Sequence, residues 1–188
     1  MYVISATDLT ISFFDAQNLN FMKQFGTPSQ NTTTMRWVSG QGLLYTGDTK
    51  GVIRLWDVFD MEEVGTLGNE GQLHGYSHEH AHGKHHRTTG THKDIILDMI
   101  ELSGLDRLAS ASIDRTIKLW DLTTGKLRRT LNGHAKGVRR IAYSPEWKVL
   151  VSVGFDFDVL VWNPYVAHLI LRMQDHGCSL CGVEIVPN

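Results

Sequence analysis

The histidines are the residues best placed to do chemistry, and they are unevenly spread. His74, His78, His80, His82, His85 and His86, six of the ten in this 188-residue chain, fall between positions 70 and 91. Neutral imidazole is a good ligand for zinc, copper or nickel, and the run H-E-H-A-H at 78–82 can chelate from a loop. The spacing is not that of H-E-x-x-H, which sets two histidines on one helical face around a glutamate, so no fixed geometry is specified. Clustered imidazoles also titrate near neutrality, which makes a pH-responsive segment the companion reading. Glycines and the scarcity of apolar residues predict a solvent-exposed, disordered loop for 70–91 rather than a packed element. No cofactor is expected, with zinc, copper or nickel at these six histidines as the alternative.

A second candidate is Cys178-x-x-Cys181, which has the spacing of half a metal site or of a redox pair. There is no other cysteine to supply a second half, so these two are expected to be ordinary strand residues of a chain in a reducing compartment.

A third set of polar residues repeats. His92 and His134, Asp114 and Asp156, and Trp120 and Trp162 each lie 42 residues apart. The pairs Phe14-Asp15 and Trp56-Asp57 share that spacing, as do Trp120-Asp121 and Trp162-Asn163; the middle interval is 64, one period lengthened by a 22-residue insertion. Self-similarity at such a period is the mark of a repeat architecture, and repeated positions are usually structural. Function is therefore sought in loops and surfaces.

The elements that position these residues are short alternating runs: DIILDMIEL, RLASAS, TIKLWDL and KLRRTL in the third unit, and GVRRIAYS, KVLVSV, VLVWN and HLILRM in the fourth. Each has strand length, and the breaks between them carry Gly, Pro, Asp and Ser. Asp114-Arg115 and Asp156-Phe157 mark tight turns, and Thr124-Gly125 a hairpin whose glycine takes positive φ. Four short strands cannot bury both faces alone, so the units must stack, with positions such as Ile117 and Leu119 against the neighbouring sheet. No window keeps a helical period.

Composition agrees with a globular chain. It is 41% hydrophobic and 20% charged with a net charge of −2, which gives no reason to expect bulk nucleic-acid binding. The longest apolar stretch, 159–173, is broken by Asn163, Pro164 and His168 and falls short of the roughly 20 residues a spanning helix needs. The start, MYVISATDL, lacks the basic region and cleavage site of a signal peptide. A cytoplasmic protein without a membrane partner is expected.

With IRLWDV at 53–58, IKLWDL at 117–122 and Gly133-His134, the chain resembles the WD-repeat (WD40) β-propeller family over nearly all its length outside 70–91. The resemblance implies an all-β fold of about four blades, each a four-stranded antiparallel sheet, forming an incomplete propeller. It implies a hydrogen-bonded tetrad in a blade, falling here on His92, Ser110, Asp114 and Trp120, and again on His134, Ser152, Asp156 and Trp162. Such a set contains the residue types of a hydrolytic triad. A hydrolase, however, needs one nucleophile beside a pocket, whereas this set occurs twice at repeat positions and ends on an indole. The expectation is a buried network and no enzyme. In the second unit Trp56 and Thr46 remain, but Pro28 and Lys50 stand where the His and Asp are expected; in the first, Asp8 is kept and Phe14 replaces the Trp.

The expected division is 1–25, the last three strands of a partial blade; 28–69, a degenerate blade; 70–91, the insertion; 92–133 and 134–175, complete blades; and 176–188, the first strand of a further blade. A chain cut from a longer propeller is expected, the alternative being closure of 179–186 onto 1–25, within one chain or between the two chains of a homo-oligomer. The family resemblance puts Ile95, Leu97 and Ile113 with Arg139 and Phe155 on one partner-binding rim, and implies a scaffold for protein–protein assembly. The stretch 126–140 holds six cations and no acid, but it crosses two strands and a loop without interleaved aromatics, so a solvated surface is expected and nucleic acid is not. The chain is also similar to large WD-repeat proteins that carry EF-hands and associate with motile cilia, which implies a cilium or the cytoskeleton as its place, although no EF-hand loop of the D-x-D-x-D-G type is present.

Overall fold

A computed structural model describes residues 2–6, 10–26, 31–60, 62–68, 90–174 and 176–186. The described elements are fifteen strands and no helix. β1 (Tyr2–Ala6), β2 (Thr10–Asp15) and β3 (Phe21–Gly26) form a three-stranded sheet. Three four-stranded sheets follow: β4 (Thr32–Val38), β5 (Leu43–Asp48), β6 (Ile53–Asp57) and β7 (Glu62–Thr66); β8 (Ile96–Leu102), β9 (Arg107–Ser112), β10 (Thr116–Asp121) and β11 (Leu127–Asn132); β12 (Val138–Ser144), β13 (Val149–Gly154), β14 (Val159–Asn163) and β15 (His168–Met173). Every sheet is an antiparallel meander in chain order.

The sheets, called blades below, stack face to face in sequence. Ile11 and Phe13 of the first blade pack with Leu44, Trp56 and Val58 of the second. Tyr45, Ile53 and Leu55 of the second pack with Ile96, Leu108 and Trp120 of the third. Ile117 and Leu119 of the third meet Leu150, Leu160 and Trp162 of the fourth. A blade with a neighbour on each side has its central strands covered on both faces, which explains β9: Ala109, Ser110, Ala111 and Ser112 are all buried, and small side chains let the flanking blades approach.

The 42-residue period is written into the backbone as well as the side chains. Each blade has a register shift where its Trp or Phe enters, at 13/14, 55/56, 119/120 and 161/162. Left-handed residues recur at three repeat positions: Gly42, Asp106 and Lys148; Gly51, Arg115 and Phe157; and Leu19, Gly125 and Ala167. Left-handed backbone is disfavoured for side chains with a Cβ, so these turns are imposed by the meander rather than chosen by local propensity.

Two expectations need correction. Residues 176–186 carry no strand and pair with no sheet, so the first strand expected at 176–188 is not formed within the described residues, nor does 179–186 join β1–β3. Cys178 and Cys181 are exposed thiols outside any strand. An alternating run becomes a strand only where a ladder offers its backbone partners, and this one has none. The outer face of the fourth blade is left open: Val151, Val161 and Leu171 are cross-strand partners, none of them is buried, and Leu171 is 51% exposed. Their counterparts one period earlier, Ala109 and Leu119, are buried under the fourth blade.

Candidate functional site

Two polar networks with matching hydrogen-bond distances stand at repeat positions in the third and fourth blades. In the third, Trp120 Nε1–H donates to Ser110 Oγ at 2.8 Å, His92 Nε2 lies 2.8 Å from the same hydroxyl, and His92 Nδ1 lies 2.9 Å from Asp114 Oδ2. In the fourth the corresponding distances are 2.8 Å for Trp162–Ser152, 2.8 Å for His134–Ser152 and 2.9 Å for His134–Asp156. Ser110 and Ser152 are 0% exposed.

The donors assign one proton order. Because the Asp114 carboxylate can only accept, Nδ1–H of the neutral His92 imidazole donates to it; Nε2 is then an acceptor and takes the Ser110 O–H, while Ser110 Oγ accepts from the indole. Burial holds the His92 pKa below the ordinary imidazole value, against the pull of Asp114. Burial alone would raise Asp114, but the bond and charge of His92, the Thr116 hydroxyl and the Lys93 N–H outweigh it and hold the carboxyl well below the usual range. Asp156 is lowered in the same way, its burial offset by His134 and the N–H of Ala135. Each aspartate thus also ties down the chain entering its blade, through Lys93 N–H at 2.9 Å and Ala135 N–H at 2.6 Å. A serine that already accepts an indole proton, and is sealed from solvent, has no route to a substrate carbonyl. The arrangement latches loop, turn and strand together.

The second blade uses different residues. Trp56 Nε1–H donates to Thr46 Oγ1 at 2.8 Å, while Pro28 lies outside the described residues. The aspartate missing at Lys50 is supplied two positions earlier: Asp48 Oδ1 accepts from Lys50 N–H at 2.8 Å and Val52 N–H at 2.9 Å, and Oδ2 binds Arg54 Nη1 at 2.6 Å. Sequence comparison at fixed offset passes over this substitute because the charge has moved in register. Also missed was the duty of the acid after each aromatic. Asp15, Asp57, Asp121 and Asn163 each accept, through Oδ1, a main-chain N–H two or three residues on. The side-chain oxygen closes the turn after β2, β6, β10 or β14; asparagine serves at 163 because only an acceptor is needed.

The rim residues inferred from family resemblance are partly brought together. Ile113 N–H donates to Ile95 O and Phe155 N–H to Gly137 O, both at 2.9 Å. Arg139 lies over the Phe155 ring, 5.7 Å from its centroid, and Leu97 O accepts from Arg140 Nη1 at 2.9 Å. Lys136, not anticipated, sits 5.3 Å from the centroid of Phe157. His74, His78, His80, His82, His85 and His86 lie outside the described residues. Among the described residues no three His, Cys, Asp or Glu side chains are grouped to hold a metal, and no helix is long and apolar enough to cross a membrane.

Comparison with known proteins matches residues 83–121 and 125–163 to the family model of the WD domain, G-beta repeat. Over 152 residues the chain is 30% identical to cilia- and flagella-associated protein 337 B of Tetrahymena thermophila, covering 81% of this chain and 10% of that protein. It is 43% identical over 80 residues to the nuclear distribution protein PAC1 of Arthroderma benhamiae, covering 40% of this chain and 17% of that one. It is 31% identical over 130 residues to the human WD repeat and SOCS box-containing protein 1, covering 68% of this chain and 26% of that protein. The chain thus spans a tenth to about a quarter of the length of these relatives.

Proposed function

Because this chain belongs to the WD-repeat (WD40) family, we propose that it is a non-enzymatic scaffold whose blades hold a loop-bearing rim rigid for the assembly of other proteins. One observation carries the reading: the hydrolase-like residues occur in duplicate, have buried side chains, and are hydrogen-bonded to one another. The rim is accessible, and rigid surfaces that vary in their loops suit recognition rather than chemistry. We also propose that the four blades work as a segment of a longer array. Support comes from the open face of β12–β15, whose counterparts in the third blade are covered, and from the small share of each relative that the chain spans. The name of the Tetrahymena relative supports a place at a cilium or flagellum.

The test is cross-linking of the tagged chain in the cells that make it, with mass spectrometry of the joined peptides. The scaffold reading expects recurrent protein partners joined through the loops between blades. Cross-links spread evenly over both rims with no recurrent partner overturn it, and a fluorescent fusion absent from cilia and flagella overturns the location.

A further inference from the structure

An antiparallel meander sends its turns alternately to two rims. The turns β5–β6, β9–β10 and β13–β14 share one rim with the chain entering β8 and β12, and bonds across them fix this: His92 N–H donates to Gly51 O at 3.2 Å and Phe155 N–H to Gly137 O at 2.9 Å. This is the rim of the latches. Lys50, Lys93, Arg115 and Lys136 on it are exposed, and Arg139 is half-buried.

Of the acids on the same rim, one has a cation of its own. Asp48 is paired with Arg54; Asp114 and Asp156 are bonded to the histidines but keep their charge, and Asp94 is exposed and accepts from Ile95 N–H. The opposite rim carries exposed Asp60, Asp106 and Glu146 beside Lys126 and Lys148. Among the described residues the five cations of the latch rim thus outnumber the acids beside them that lack a cation, whereas the acids named on the opposite rim outnumber its two lysines, so the balance of positive charge lies on the latch side.

That side also has an apolar seam. Gly137 sits where the third and fourth blades meet, and a Cβ there would come within 2.9 Å of Ile113 Cα and 3.2 Å of the Phe155 ring. Its absence lets Ile113 and Phe155 flank one junction, both partly exposed. Lys136 over Phe157 and Arg139 over Phe155 hold two cations along that seam.

We propose that this seam docks an acidic peptide segment that inserts one aliphatic or aromatic side chain against Ile113 and Phe155 while its carboxylates meet Lys136, Arg139 and Arg115. The proposal rests on the scaffold reading above and names the chemistry of the partner. Single-stranded nucleic acid fits less well, since binding by stacking needs free ring faces. Both phenylalanines are mostly buried and each has a cation over one face.

The probe is a fluorescein-labelled peptide of glutamates with one central phenylalanine, followed by anisotropy with the intact chain. Saturable binding is expected, weakened at least ~tenfold by K136E/R139E and unchanged by K126E/K148E on the opposite rim. Thermal unfolding of both double variants should match that of the parent. Absence of saturable binding to the parent, equal loss in both variants, or tighter binding of an oligothymidylate lost in K136E/R139E each overturns the proposal. If the peptide fails while cross-linked partners persist in K136E/R139E, the scaffold reading stands and this one falls; loss of all partners from the parent chain removes both.

Discussion

The main-chain N–H of His92 donates to the carbonyl of Gly51 at 3.2 Å, so the turn of the second blade holds the histidine that opens the latch of the third. Gly51 adopts φ 80°, and a Cβ on it would run into the backbone of His92. Replacing Gly51 by alanine combines left-handed strain with a contact that cannot yield by side-chain rotation. A loss of about 2–3 kcal/mol is expected, measured by urea denaturation; an unmoved midpoint would contradict the junction.

Removing a latch histidine strands its partners. His92→Ala leaves Ser110 and Asp114 short of buried partners, and His134→Ala does the same to Ser152 and Asp156, for a loss of about 1–3 kcal/mol each. Because Ser110 joins the imidazole to the indole, His92→Ala and Trp120→Phe should be non-additive, coupled by about 0.5–3 kcal/mol. Additive losses in the double-mutant cycle would mean that the shared hydroxyl transmits nothing.

The latch also sets a pH dependence. The folded pKa of His92 lies below its unfolded value, so the unfolded chain binds more protons in that window and stability falls as pH drops below about 6.5. Asp114 and Asp156 are lowered too; their contribution is complete above about pH 4 and is lost on acidification through their folded pKa values. Burial raises Asp98 and Glu63, which act in the opposite sense. The His92 part is therefore read as the difference between the parent and His92→Gln in unfolding free energy at pH 7.5 and 5.5. A parent no more pH-sensitive than the variant would exclude it.

In the second blade Asp48 replaces the missing latch. Asp48→Ala should destabilise by about 1–3 kcal/mol, since it frees the N–H groups of Lys50 and Val52 and leaves Arg54, mostly buried, without its nearest carboxylate. Lys50→Asp, which restores the family pattern in sequence alone, should give no gain in melting temperature. A clear rise in Tm on Lys50→Asp would refute the substitution.

The expectation that the histidine-rich insertion can be removed without harm to the blades is open to a deletion test. Gly90 packs on Leu127, where a Cβ would come within 2.8 Å of Cδ2, so the expectation for 70–91 narrows. Replacing 70–89 by a short Gly-Ser linker should leave the melting temperature unchanged and abolish any zinc binding seen by calorimetry at pH 7. Loss of soluble protein would show that the segment supports the fold, and zinc binding retained would move the metal site elsewhere.

The parts legible in the sequence are those that recur at fixed offset. His92, Asp114 and Trp120 repeat 42 residues later, and the strands between them alternate clearly. Asp48 and Arg54 escaped notice because their solution occurs once and out of register. Lys136 over Phe157 escaped for a related reason: its counterparts one period earlier are Asp94 and Arg115, so the pair has no echo to betray it. The 176–186 segment misled because alternation reports the capacity to pair, whereas pairing also needs a free edge at the right place.

Each buried tryptophan lies at the face its blade turns towards the preceding one: Trp56 with Phe13, Trp120 with Tyr45, Trp162 with Ile117. The array therefore has a polarity. Parting any junction wets the indole of the later blade and leaves the others dry, while Trp37 and Trp147 are exposed throughout. Since the core clusters of the described residues join successive blades, opening should spread from the outer junctions inward. Chains keeping a single buried tryptophan would then report by fluorescence which junction parts first, giving the molecule a built-in odometer of its own unstacking.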